Sequence, residues 1–168
     1  MNLLELFAPV TTFVFDIDGV LTDGSLHFTE DGFAMRSMNA KDGYALQLAI
    51  QKGYKVWAIS GGKSEAGRTR LNDLGVEQVH MGIEYKKEFL QEMAASLNVS
   101  YEQMLYMGDD IPDYAAMQIC GLPCCPNDAA PEIKQVAKYI SPYTGGKGCV
   151  RDVIEKVLKL NGHWDLPE

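Results

Sequence analysis

The chain has 168 residues, 46% of them hydrophobic and 23% charged, with a formal net charge of −8 at pH 7. That balance fits a globular protein with one sizeable core, and the acidic surplus excludes a general nucleic-acid binder, which needs a basic face against the phosphates. No run approaches the ~18 apolar residues of a membrane span. The N-terminus MNLLELFAPV carries Glu5 and no basic flank, unlike a secretory signal, so a cytoplasmic protein is expected.

An apolar run, Phe13-Val14-Phe15, stops at Asp16, which predicts a buried strand over residues 11–16. SLHFTEDGFAMRSM, residues 25–38, has the pattern of a β-hairpin turning at Glu30-Asp31-Gly32. A helix is predicted at 42–52, with Ala45, Leu48 and Ala49 on its apolar face and Gly53 as its stop. KVWAIS (55–60) reads as a second buried strand, followed by a helix at 64–74 that ends at Gly75. A strand at 78–82, a helix at 85–97, a strand MLYMG at 104–108 and a helix at 112–120 continue the alternation. SYEQ (100–103) has capping-box spacing for a single turn. Weaker elements and the glycine-rich TGGKG (144–148) lead to a last helix near 149–160.

This order predicts an α/β fold: one domain over residues 1–168, with a Rossmann-like, mainly parallel sheet, helices on both faces and a hairpin inserted after the first strand. Cys120, Cys124, Cys125 and Cys149 match no zinc spacing and read as small buried hydrophobes in a reducing compartment. His27, His80 and His163 also lack metal-ligand spacing.

Open α/β sheets bind ligands outside the carboxyl ends of their strands. Those ends carry Asp16 and Asp18, then Ser60, then Asp109, Asp110 and Asp113, and Lys86 starts a helix that can reach the same edge. Acids so clustered raise each other's pKa, and a divalent cation resolves the conflict. Magnesium suits such hard oxygen ligands and commonly shares its shell with a phosphate. Asp16 and Asp109 are the expected carboxylate ligands. One carboxylate can attack phosphorus to form an aspartyl-phosphate, while a second serves the leaving alkoxide and the attacking water as acid and base. Ser60 can donate to a phosphate oxygen, and Lys86 can neutralise developing charge. Each residue alone has a plainer reading. Asp-x-Asp occurs in surface loops, Ser60 could cap a helix, Lys86 stands beside Lys87, and Asp23 could end a turn.

DIDGVLTDG (16–24), Ser60 in AISGG, Lys86 and GDDIPD (108–113) resemble the four ordered motifs of the haloacid dehalogenase superfamily of phosphohydrolases. The resemblance implies Asp16 as nucleophile, Asp18 as general acid/base and as metal ligand through its carbonyl, and Ser60 and Lys86 on the phosphate. It further implies Asp109 on magnesium and Asp113 as a supporting or water-mediated partner of the metal shell.

DGVLTDG, the hairpin, NAKDGYALQ (39–47), Arg70 on its helix and GGKGCVRDV (145–153) together resemble 3-deoxy-D-manno-octulosonate 8-phosphate phosphatases. That family implies a cap-less, cytoplasmic homotetramer acting on a sugar-acid phosphate in lipopolysaccharide precursor synthesis. Substrate contacts are implied for Asp18, Asn39, Ala40, Lys41, Asp42, Gly43, Gly61, Arg70 and Lys86. Closure of the site is implied for the hairpin and for Gly145, Gly146 and Gly148 of a neighbouring subunit. The cap-less expectation also follows from space, since the segment between Asp18 and Ser60 already holds a hairpin and a helix. Two positions depart from the family pattern: Gly62 stands where Arg is usual, and Gln47 where Arg is frequent. Two cations for the sugar's carboxylate are thereby missing, and Lys41, Lys63, Arg68 and Arg70 are available in their place. Asn39 and Asp42 could instead cap a helix, and Arg70 could pair with Asp73.

The alternatives are a 2-keto-3-deoxynononate 9-phosphate or broader sugar-phosphate phosphatase, a phospho-Asp receiver domain and a non-catalytic scaffold. The first lacks its typical Glu at position 62. A receiver places its acceptor Asp mid-chain, where this sequence has Ser60, and the complete motif set argues against a scaffold.

Overall fold

A computed structural model of the chain describes residues 2–168. A short helix, α1 (Leu3–Phe7), leads into β1 (Thr12–Phe15), all of whose residues are buried. A tight turn, Ile17–Leu21, precedes the antiparallel ribbon of β2 (His27–Phe28) and β3 (Ala34–Met35). Next come α2 (Ala40–Gln51), β4 (Lys55–Ile59), α3 (Glu65–Asp73), β5 (Gln78–His80) and α4 (Lys86–Ser96). The chain ends with β6 (Met104–Met107), α5 (Tyr114–Met117), β7 (Leu122–Cys125), α6 (Pro131–Val136), β8 (Tyr139–Ile140) and α7 (Cys149–Leu160).

The main sheet has six parallel strands in the order β5-β4-β1-β6-β7-β8. Without the ribbon this is the Rossmann order, in which the winding reverses between the first strand and the fourth, here β1 and β6. Strand alternation splits the core in two. Phe13, Phe15, Ala58, Leu105 and Met107 face α1, α2, α3 and α7, whereas Val14, Trp57, Ile59 and Tyr106 face α4, α5 and α6. Both faces are therefore covered, which is why β1, β4 and β6 read as continuous apolar runs. On α7, Val150, Val153, Ile154, Val157 and Leu158 form one fully buried stripe at helical spacing. Each such side chain contributes about 1.5–3 kcal/mol relative to exposure.

Several boundaries differ from the sequence expectation for local reasons. α2 starts two residues early because the Asn39 side chain accepts from the amides of Lys41 and Asp42. The helix expected at 112–120 is a single turn, Ile111–Asp113, followed by four helical residues. SYEQ forms one turn without a side-chain cap from Ser100. Between β1 and β4 the chain holds only the turn, the ribbon and α2, so no cap domain is inserted there. Among the described residues, no helix is long and apolar enough to cross a membrane.

Candidate active site

β1 and β6 end side by side, with the Asp16 amide donating to the Met107 carbonyl at 3.1 Å. Asp16 and Asp109 therefore meet where the winding of the sheet reverses. Asp16 Oδ1 accepts from the Ile17 amide at 2.7 Å and lies 3.0 Å from Lys86 Nζ. The turn after β1 approaches Asp109 so closely that only glycine fits at position 19. Its φ is +88°, and a Cβ there would lie 1.9 Å from Asp109 Oδ2. Buried Thr22 ties the turn together by accepting from the amides of Gly19 and Gly24, each at 3.2 Å.

Lys86, at the start of α4, is only 3% exposed. A buried ammonium needs partners, and it has a second in Asp113 Oδ1 at 2.8 Å. Asp113 is itself fully buried, and it accepts from the Tyr106 hydroxyl at 2.8 Å and from the Asp109 amide at 3.1 Å. It thus stands behind the site, fixing Lys86 and the Asp109 backbone to each other. Sequence reasoning missed Tyr106.

The electrostatics follow from this crowding. Burial raises the Asp16 pKa well above the ordinary carboxylate value and Asp113 adds to the rise, with Lys86 offsetting only part. Burial and then Asp113 push Asp109 up to about 6. For Lys86, burial opposes the ammonium, but Asp113 and Asp16 outweigh it, and its pKa is raised. Burial, and then Asp113, raises the Tyr106 phenol, which therefore stays a donor. Carboxylate oxygens of Asp16, Asp109 and Asp113 lie within 4.8 Å of one another. Three acids against one lysine leave a surplus of negative charge that a divalent cation fits. The Asp113 oxygens already accept from Lys86, Tyr106 and the Asp109 amide, so Asp16 and Asp109 are the carboxylates free to ligate.

Asp16, Asp18, Ser60, Gly61, Lys86 and Asp109 line one open cleft of about 280 Å³. Ser60 Oγ accepts from the Gly62 amide at 3.1 Å, which leaves its proton to donate into the cleft. The Asp18 carboxylate is turned toward the ribbon and paired with Arg36, a residue that sequence reasoning did not single out. Asp110, at the cleft edge, accepts from the Ile111 amide at 2.8 Å. Asp23 accepts from the Ser25 amide at 2.9 Å and so serves a turn.

The other expected substrate contacts do not line this cleft. Asn39, Ala40 and Lys41 border a larger groove against α7, of about 750 Å³. Asp42 is buried and accepts from the Arg151 amide at 2.9 Å, which joins α2 to the first turn of α7. A Cβ on Gly43 would come within 3.2 Å of Arg70 Nη2, so Arg70 crosses toward α2.

The glycine-rich segment, expected as a lid from a neighbouring subunit, packs against the turn after β1 of its own chain. The Gly145 amide donates to Asp128 Oδ1 and the Gly146 amide to the Val20 carbonyl, both at 2.9 Å. A Cβ on Gly145 would lie 1.9 Å from the Gly19 carbonyl oxygen. These glycines let the segment brace the back of the turn after β1, and Gly148, at φ +112°, starts α7. The four cysteines are buried and unpaired, and burial pushes Cys120 up to about 12.

A doubly wound sheet with carboxylates, a lysine and a serine converging at its reversal point defines a hydrolase built for phosphoryl transfer. Residues 76–154 match the haloacid dehalogenase-like hydrolase family. The chain is 30% identical to the 3-deoxy-D-manno-octulosonate 8-phosphate phosphatase of Yersinia pestis over 169 residues, covering 98% of this chain and 90% of that protein. The crystal structure of a probable YrbI family phosphatase from Pseudomonas syringae is 35% identical with a TM-score of 0.93, covering 96% of this chain and 92% of the other. The Moraxella catarrhalis 3-deoxy-D-manno-octulosonate 8-phosphate phosphatase, solved with magnesium, phosphate and 3-deoxy-D-manno-octulosonate, is 28% identical with a TM-score of 0.91, covering 94% and 91%. The chain belongs to the 3-deoxy-D-manno-octulosonate 8-phosphate phosphatase family of haloacid dehalogenase-like hydrolases.

Proposed function

We propose that this chain is a magnesium-dependent phosphatase hydrolysing 3-deoxy-D-manno-octulosonate 8-phosphate to the free sugar acid and phosphate through an aspartyl-phosphate on Asp16. The observation that carries the reading is the contact of Lys86 with Asp16 at 3.0 Å in a cleft shared with Asp18, Ser60 and Asp109. Asp16 Oδ1 is engaged by the Ile17 amide and Lys86, which leaves Oδ2 to attack phosphorus. Lys86, fixed from behind by Asp113, keeps its charge beside the phosphoryl oxygens, and Ser60 donates to one of them. Asp18 protonates the leaving alkoxide and then takes a proton from the water that cleaves the phosphoenzyme. Asp16, Asp109 and the Asp18 carbonyl would hold a magnesium ion, which when bound would supply positive charge against the phosphoryl group.

The same reading makes the protein a cytoplasmic homo-oligomer, a tetramer, in lipopolysaccharide precursor synthesis. Association of subunits is supported by the ribbon's exposed Phe28, Phe33 and Met35, an apolar surface that a neighbouring subunit can cover. The test is kcat/KM with magnesium for the octulosonate 8-phosphate, the nononate 9-phosphate and a panel of hexose phosphates. A preference of about a hundredfold for the eight-carbon acid, roughly 2.7 kcal/mol of transition-state discrimination, is expected. A flat profile would contradict the substrate assignment, and a preference for the nine-carbon acid would favour the alternative.

A further inference from the structure

Position 62 is a glycine at the mouth of the cleft, and the space above it is taken. A Cβ there would lie 3.1 Å from Asp18 Oδ2 and 3.6 Å from Arg36 Nη2. Arg36 reaches this point from the chain just after β3, with its side chain 14% exposed. Its Nε donates to Asp18 Oδ1 at 2.6 Å and its Nη2 to Asp18 Oδ2 at 3.3 Å. Nη1 makes only a long contact, 3.4 Å, with the Ala34 carbonyl. A guanidinium presents several N–H donors in one plane, so donors remain on the edge turned away from Asp18.

Arg36 also borders a cavity of about 480 Å³ between the ribbon and α3, whose wall includes Phe33, Met38 and Arg70. A substrate with its phosphate among Asp16, Ser60 and Lys86, and its leaving oxygen at Asp18, has its remaining atoms beside Gly62 and Arg36. Without Arg36, a carboxylate on those atoms would meet Asp18 and Asp110 and be repelled. The guanidinium reverses the local sign and matches a carboxylate in shape. Of the four replacement cations expected from the sequence, Arg70 shares this cavity wall with Arg36, and the other three are placed elsewhere. Arg68 Nη1 donates to the Val79 carbonyl at 2.7 Å, Lys63 lies against Gly82, and Lys41 borders the groove by α7.

Resting on the phosphatase reading above, we propose that Arg36 is the cation that recognises the carboxylate of the leaving sugar acid, from the space that a side chain at position 62 would otherwise fill. The test compares kcat/KM of wild type, Arg36→Met and Arg36→Lys on 3-deoxy-D-manno-octulosonate 8-phosphate and on p-nitrophenyl phosphate, whose leaving group has no carboxylate. Arg36→Met is expected to lower the ratio of the two constants at least about tenfold, with Arg36→Lys intermediate. Losses that are equal on both substrates, leaving the ratio within about twofold of wild type, would show that Arg36 only orients Asp18 and would overturn the proposal. Thermal unfolding checks that each variant is folded. If Arg36→Met is not, Arg36→Lys decides, with a ratio lowered at least about threefold in support and an unchanged ratio against. A wild-type protein with no preference for the sugar acid over hexose phosphates would overturn the underlying substrate reading, and this proposal with it. That outcome is visible before any variant is made.

Discussion

Lys86 Nζ lies 3.0 Å from Asp16 Oδ1, with both side chains buried at the reversal point of the sheet. Such a pair adds little net stability, because desolvation offsets its attraction. Its consequence is geometric. It occupies one oxygen of the carboxylate, leaves the other toward the cleft, and places a fixed positive charge beside it.

Asp113 holds that arrangement in place, so its removal should cost more than a surface change. In Asp113→Asn, Lys86 keeps only Asp16 as a charged partner, and unfolding free energy should fall by about 3–5 kcal/mol. Tyr106→Phe removes one hydrogen bond to a charged acceptor and should cost about 1.5–3 kcal/mol. Urea midpoints at constant m-value measure both, and an Asp113→Asn protein as stable as wild type would contradict the role given to Asp113.

The crowded acids set a pH dependence for the metal-free protein. The folded pKa of Asp109, about 6, lies above the ordinary 3.8, so the folded state holds that proton more tightly than the unfolded state. The resulting stabilisation is present below the ordinary value and lost as pH rises through about 6, and Asp16 acts in the same direction. In chelator, Tm should therefore decline between about pH 4 and 7 more steeply for wild type than for Asp109→Asn. Magnesium should raise Tm near pH 7 and far less near pH 4.5, because the ligands must be ionised. Parallel curves for the two proteins in calorimetry would refute the assignment.

Gly145→Ala tests the bracing of the turn after β1. The added Cβ would meet backbone on the other side, 1.9 Å from the Gly19 carbonyl oxygen, so the turn or the segment must shift. A loss of about 1–3 kcal/mol in stability is expected, together with a lower kcat/KM. Unchanged stability and unchanged activity would mean that the contact carries nothing.

The cleft residues were legible because each follows a buried strand or opens a helix, and their order along the chain carries the pattern. Tyr106 was not, since it looks like one more buried residue of β6. The signal available was its phenol, which needs a partner when buried, but nothing in the sequence names Asp113, which lies across a turn. Arg36 escaped because it sits in an apolar alternation and its partner is 18 residues away. β7 was obscured by Pro123 and two cysteines, which weaken the strand pattern. TGGKG announced a close backbone approach, but nothing in the sequence names its partner, the turn at Gly19.

In the proposed mechanism Asp16 carries the phosphoryl group between the two steps, and trapping that group is the most direct measurement. Wild type, Asp16→Asn and Asp18→Asn would be mixed with radiolabelled substrate and magnesium, quenched in acid, digested and mapped. Asp18→Asn should take up label more slowly, lacking the acid, and keep it on the peptide containing Asp16, lacking the base that activates water. Asp16→Asn should carry none, and its kcat/KM should fall by at least about 10⁴-fold. Label on another residue, or an Asp16→Asn protein that still turns over near the wild-type rate, would contradict the account.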